Sequence, residues 1–149
     1  HARQGGIAGL LELVNGRAGK DDLYRLAADL RMEVDGLLPI VEAAVLLGFA
    51  KSARGVIEVT PQGDEFIKAD RAARKRIFRN AALAHVPLLQ QMHGAVANPS
   101  GRPVTIESFR EMLRRQFPEP EVERQIETAL NWGRYSELFT YDAGNGRLN

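Results

Sequence analysis

The residues closest to a chemical motif are Gly16-Arg17-Ala18-Gly19-Lys20. A phosphate-binding loop separates its glycines by four residues and follows its Lys with Ser or Thr, so that backbone N–H groups and a hydroxyl surround the phosphates. Here two residues intervene and Asp21 follows, which puts a carboxylate where phosphate charge should sit. A polar interhelix loop is the better reading. His1, His85 and His93 show neither HExxH nor facial-triad spacing and read as structural, so no metal and no cofactor is expected. No serine sits in a Gly-x-Ser-x-Gly elbow. The acids Asp21, Asp22, Glu119, Glu121 and Glu123 fall where helix starts favour negative charge on dipole grounds alone. No catalytic residue is assigned, and the chain reads as a non-enzyme.

Charge is the next source of function. Arg71, Lys75 and Arg79 recur at every fourth position, with Arg74 and Arg76 beside them. Such a stripe is a solvated helix face in the plain reading. In the sharper one it contacts an acidic protein surface, a phosphate-rich partner or lipid headgroups, which makes these five residues the candidate interaction face. Trp132, Tyr135, Phe139 and Tyr141 form the densest aromatic cluster, and core packing is its expected role.

The elements that must position these groups follow from periodicity. Ile7, Leu10, Leu11 and Val14 make one stripe of a first helix ended by Asn15-Gly16, with Gly supplying a left-handed residue. Asp21 and Asp22 stand at the start of a second helix carrying Leu23, Leu26, Ala27 and Leu30. Asp35 caps a third, with Leu38, Val41, Val45 and Leu46 facing inward, Pro39 in its first turn and Gly48 as its stop. Phe49–Lys51 and Val56–Val59 read as a hairpin around Ser52-Ala53-Arg54-Gly55. Thr60-Pro61 starts a long fourth helix reaching toward Leu83, with Phe66, Ala69, Ala73 and Ile77 inward and the basic stripe opposite. Pro87 breaks or restarts it. The pattern then recurs. Leu88, Leu89, Met92 and Val96 form a helix, Asn98-Pro99-Ser100-Gly101 a loop, and Thr105 caps a helix with Ile106, Phe109, Leu113 and Phe117. Pro120 opens another with Val122, Ile126, Ala129 and Leu130 inward and Gly133 near its end. Leu138–Tyr141 and Arg147-Leu148 flank a turn-rich loop as a second hairpin. The fold expected is mainly α with small β-hairpins: two winged helix-turn-helix-like units, residues 1–60 and 85–149, joined by a long basic helix over 61–84.

A winged helix suggests DNA, and the third helix tests it. Groove readers place Arg, Lys, Asn or Gln on the exposed turns of that helix. From Asp35 to Gly48 there is none, and the exposed charges are Asp35 and Glu42. The equivalent helix of the second unit sets Glu121, Glu123 and Glu127 against Arg124 and Gln125. Lys51 and Arg54 on the first hairpin are the candidate nucleic-acid contacts, and two charges release few counterions. DNA is therefore a disfavoured partner.

Composition sets the outer bounds. With 149 residues, 44% hydrophobic and 26% charged, the chain is ordinary for a globular protein, and its net charge of +1 exerts no global pull on nucleic acid or lipid. The absence of cysteine excludes disulfides and thiolate chemistry and fits a reducing compartment. No apolar run approaches the roughly 18–20 residues of a membrane span, and no signal peptide opens the chain. The start at His1 in place of Met points to a processed or excised piece.

Five blocks together carry a resemblance: HARQGGIAGLLELV, EVDGLLPIVEAAVLLGFA, VTPQGDEF, HVPLL and NWGRYSELFTYD. From His1 to about Asp142 the chain resembles the AAA-associated C-terminal domain, found downstream of the ATP-binding cassette in ATPases of nitrate/sulfonate/bicarbonate-type ABC transporters. The resemblance implies a non-catalytic accessory or regulatory module of an importer ATPase, acting through protein–protein contacts. It implies the cassette and the transporter complex as partners, with a homodimer left open. It also implies a cytoplasmic location, peripheral at the inner membrane. The ATP-handling motifs of such proteins belong to the cassette, and none is carried over to this chain. The alternative is a winged-helix transcription regulator of the PadR/AphA-like kind, with a wing and a long helix suited to dimerisation.

Overall fold

Helix starts and stops set the architecture. A computed structural model describes residues 2–98 and 101–149; His1 and the Pro99-Ser100 part of the expected loop lie outside the described residues. The first helix, α1 (Gln4–Asn15), buries Ile7, Leu10, Leu11 and Val14 on the expected stripe. Gly16 does end it but is right-handed, at φ −65°. The left-handed residues come later, at Ala18 (φ 63°) and Gly19 (φ 81°), and they turn the chain into a strand that periodicity did not reveal, β1 (Lys20–Asp22). The Asp22 carboxylate then accepts from the Tyr24 and Arg25 N–H groups and starts α2 (Leu23–Asp29).

The third helix, α3 (Val34–Leu46), departs from expectation at both ends of its reading. It begins one residue before Asp35, which sits in the first turn and is not the cap. Its buried residues are Leu37, Val41, Ala43 and Ala44, whereas Val45 and Leu46 are 40% and 48% exposed. The reason is compositional. Glu42 is the lone charge between Leu37 and Leu46, so either face could have read as the inner one. Gly48, at φ 82°, stops the helix as expected: the Phe49 N–H reaches the Ala44 carbonyl at 2.9 Å and the Gly48 N–H reaches that of Val45 at 3.0 Å.

Strands β2 (Ala50–Ala53) and β3 (Val56–Val59) meet at Arg54-Gly55, both at positive φ (54° and 77°), the signature of a tight hairpin turn. β3 is central, antiparallel to β1 on one side and β2 on the other. Thr60 then caps α4 (Pro61–Lys68) by accepting from the Gly63 N–H at 3.1 Å, while its hydroxyl donates to the Gly48 carbonyl at 2.6 Å.

The long fourth helix is two helices. Ala69 is extended (ψ 156°), and Asp70 caps a new helix, α5 (Arg71–His85), by accepting from the Ala73 N–H at 2.8 Å. A carboxylate placed three residues before a free N–H competes with continuation of the helix, and here it wins. Pro87 restarts the chain as α6 (Pro87–Ala97), as expected.

The second half follows as β4 (Val104–Thr105), α7 (Ile106–Arg114), α8 (Glu119–Tyr135), β5 (Tyr141–Asp142) and β6 (Arg147–Leu148). Thr105 caps α7 as expected, Phe117 is 37% exposed and not inward, and the hairpin strand is shorter than Leu138–Tyr141 suggested. β6 is central in its sheet, between β4 and β5. The order helix, strand, helix, helix, strand, strand thus occurs twice, each time with the last strand in the middle. The likeness reaches single hydrogen bonds. Leu23 N–H donates to the carbonyl of Gly55, and Ile106 N–H to that of Gly146, each at 2.8 Å and each glycine at positive φ. The protein is mainly helical with two small antiparallel sheets, and no helix among the described residues is long and apolar enough to cross a membrane.

One continuous core runs through both halves. Its centre is Phe78 of α5, fully buried. Phe78 tilts against Phe49 (6.2 Å) and Phe66 (6.0 Å) from the first half and meets Trp132 (5.6 Å) and Tyr135 (5.2 Å) edge-on from the second. The expected packing role of Trp132 and Phe139 is seen in their burial.

Candidate interaction surface

The basic stripe does not lie opposite the core. α5 buries Phe78 and Ala82, not Ala73 and Ile77. At 3.6 residues per turn, Arg74 and Lys75 flank that buried pair and Arg71 lies in line with it, at the N-terminal end of the helix. Two of the five cations are accordingly engaged within the molecule. The Arg74 guanidinium pairs with Glu12 of α1 at 2.8 Å, donates to the Ile67 carbonyl at the end of α4, and lies 5.8 Å over the Phe66 ring. Its Nε is buried with no acceptor among the described residues. Lys75 pairs with Glu137 at 3.4 Å and lies 6.0 Å over the Tyr135 ring. Burial raises the Tyr135 phenol above its ordinary value, with the Arg74 charge pulling the other way.

Arg71, Arg76 and Arg79 are different. Arg71 and Arg76 are exposed, Arg79 is half-buried, and none forms an ion pair among the described residues. Arg76 and Arg79, three apart, project from neighbouring positions, whereas Arg71 lies in line with Phe78 at the N-terminal end, about 140° around the helix from Arg76. The helix beneath them is held at both ends and at its middle: by the Asp70 cap, by the Pro87 restart and by the aromatic contacts of Phe78. Guanidinium groups on a fixed rod, here the neighbouring Arg76 and Arg79, can bind carboxylates or phosphates bidentately without first ordering the backbone.

The hairpin cations are arranged less favourably for a polyanion. Lys51 and Arg54 are both exposed, but Lys51 stands in register with Glu58, which also stands in register with Lys20 across β3. The exposed surface of α3 offers Asp35, Glu42, Val45 and Leu46, acid and hydrocarbon.

The Gly16–Lys20 loop is polar, as expected. Arg17 bridges Asp21 at 2.5 Å and Asp29 at 2.6 Å, and the guanidinium hydrogen bond holds the Asp21 carboxyl below the usual carboxylate range. His93 places Nδ1 3.3 Å from the Leu138 carbonyl, and His85 is exposed at the α5–α6 corner. An ion network joins α7 to α8: Arg114 reaches Glu107 (2.8 Å), Glu111 (3.1 Å) and Glu119 (3.1 Å), and Arg110 reaches Glu123 at 2.9 Å. Hydrogen bonds from Arg114 hold Glu107 and Glu119 below their ordinary range. Acids at a helix start read as dipole partners in the sequence, and these serve as cross-helix partners as well.

Comparison with known proteins gives one family. The family model described as the C-terminal AAA-associated domain matches residues 24–142, so the opening helix and β1 fall outside the match. No curated protein matches the chain, and no solved structure does.

Proposed function

This chain belongs to the family of C-terminal AAA-associated domains, and from that membership we propose that it is a non-catalytic regulatory module of an ABC importer ATPase of the nitrate/sulfonate/bicarbonate type, acting through protein–protein contacts. Its docking face is the α5 stripe, led by the neighbouring Arg76 and Arg79 with Arg71 at its N-terminal end, all three without an ion pair among the described residues. The observation that carries this reading is the division of α5: Arg74 and Lys75 have intramolecular acids, and these three have none among the described residues. Unpaired guanidiniums on a rigid helix are available to an acidic surface of the cassette or of its dimer mate. The repeated element order, with the last strand central, supports taking residues 1–60 and 85–149 as winged-helix units and 61–84 as the segment between them. The reading sets the module in the cytoplasm, peripheral at the inner membrane.

The test is Arg71→Glu/Arg76→Glu/Arg79→Glu in the parent ATPase, with helical content checked by circular dichroism. Its ATPase or transport rate should change about fivefold or more, within the usual span of couplings between sites. An unchanged rate in a folded variant would remove α5 as the docking face.

A transcription regulator is the second reading, favoured by the exposed Lys51 and Arg54 on the first hairpin. It requires duplex binding that weakens steeply with salt. A chain that shows no salt-sensitive binding to duplex DNA is not such a regulator.

A further inference from the structure

The third helices of the two repeats, α3 and α8, face each other across a groove of about 760 Å³. Its floor includes Ala43, Ala129 and Trp132, all buried, and its edges carry Leu46 and Phe117, 48% and 37% exposed. Ala43 and Ala129 on the floor let another backbone come close beside the Trp132 ring, and large apolar side chains on the edges cover what enters. That is the shape in which amphipathic helices are recognised. Leu46 and Phe117 were both expected to face inward; no described residue covers them fully.

Charge narrows the occupant. α3 and its N-cap carry Glu33, Asp35 and Glu42 and no Lys or Arg. Glu42 lines the groove, is exposed, and forms no ion pair among the described residues. On the opposite wall Arg124 is neutralised by its own pair with Glu121. His85 stands at the corner and is the remaining titratable group of the lining. An anionic surface is repelled by this wall, and a cationic one is attracted.

We propose that the groove takes an amphipathic helix of a partner protein, its apolar face covering Leu46 and Phe117 and a Lys or Arg set opposite Glu42. The site uses none of the α5 arginines, so it stands or falls apart from the docking face above.

The experiment is fluorescence anisotropy with the 149-residue chain and a labelled helical peptide of Leu, Ala and Lys. An isomer in which Glu replaces Lys serves as its partner probe. The Lys peptide should bind saturably and at least about tenfold tighter than the Glu isomer, as charge complementarity across an interface requires. Leu46→Ala/Phe117→Ala, both at exposed positions, should weaken it about tenfold. Glu42→Lys should reverse the preference, and Arg71→Glu should leave it unchanged. Equal binding of both isomers, or no saturable binding of either, overturns the proposal. So does sedimentation showing a dimer that Leu46→Ala/Phe117→Ala dissolves, since a second copy then fills the groove. Binding to anionic lipid vesicles that those variants abolish overturns it in favour of a membrane.

Discussion

The two repeats place the same elements in the same order and end the third helix on different residues. In the first, α3 ends on Gly48 in the left-handed region, and a two-residue turn, Arg54-Gly55, joins strands of four residues each. In the second, α8 ends in the same hydrogen-bond pattern, Leu138 N–H to the Gly133 carbonyl at 2.9 Å, but Glu137 occupies the left-handed position at φ 59°. Its strands have two residues each. Cβ crowding makes that conformation costly for a non-glycine residue. At this helix end the first repeat therefore has the residue suited to the turn, although Ala18, Arg31 and Arg54 elsewhere in it are left-handed without being glycine. Around its helix end the second packs Trp132 and Tyr135 against Phe78 and Phe139 against the bare Cα of Gly133, and the Arg114 network ties α7 to α8. Topology is shared, and the residue that ends the third helix is not.

The contact joining the repeats offers the strongest test. Phe78→Ala removes the ring on which aromatic groups from both halves converge, and should cost about 3–5 kcal/mol, the usual range for a buried Phe. Urea unfolding followed by Trp132 emission measures it. A loss below about 1 kcal/mol would mean that the halves hold together without this ring.

A paired substitution tests the helix ends. Gly48→Ala should destabilise by about 1 kcal/mol, because its Cβ has room, 3.7 Å from His85 Nε2, but the backbone is left-handed. Glu137→Gly should stabilise by about 0.5–1 kcal/mol from the same strain read in reverse. The Lys75 pair it sacrifices is exposed and screened. Equal signs for the two would break the equivalence of the repeats.

The smallest effect expected is that of pH. Asp21 in the first half and Glu107 and Glu119 in the second are held below their ordinary values by hydrogen bonds from Arg17 and Arg114. A depressed carboxylate stabilises the fold above its unfolded pKa, and that contribution is lost as pH falls through the folded value. Tm should therefore fall on acidification below the ordinary carboxylate range, near about 4. Arg17→Ala and Arg114→Ala should each flatten that fall. A pH profile untouched by either would show these pairs to be without thermodynamic weight.

Much of this was legible in the letters. The α1 stripe, the Thr60 and Thr105 caps, the Gly48 stop and the Pro87 restart are local devices, and local chemistry decided them. What was hidden depended on partners far along the chain. β1 is three residues of Lys-Asp-Asp and becomes a strand because β3 lies beside it. α3 could not declare its inner face because both faces are apolar, and its outer one becomes a wall of the groove. The basic stripe looked like a single surface. It proved divided, because Glu12 and Glu137 lie within reach of Arg74 and Lys75 only after the chain has folded.

Trp132 is the single tryptophan of the chain. Its ring packs edge-on against Phe78, its indole N–H donates to the Ala2 carbonyl at 2.8 Å, and it lines the groove between α3 and α8. The molecule thus carries a built-in optical probe: its emission colour and lifetime report in one unlabelled sample on the joint between the halves, on the seating of the first residues and on occupancy of the groove.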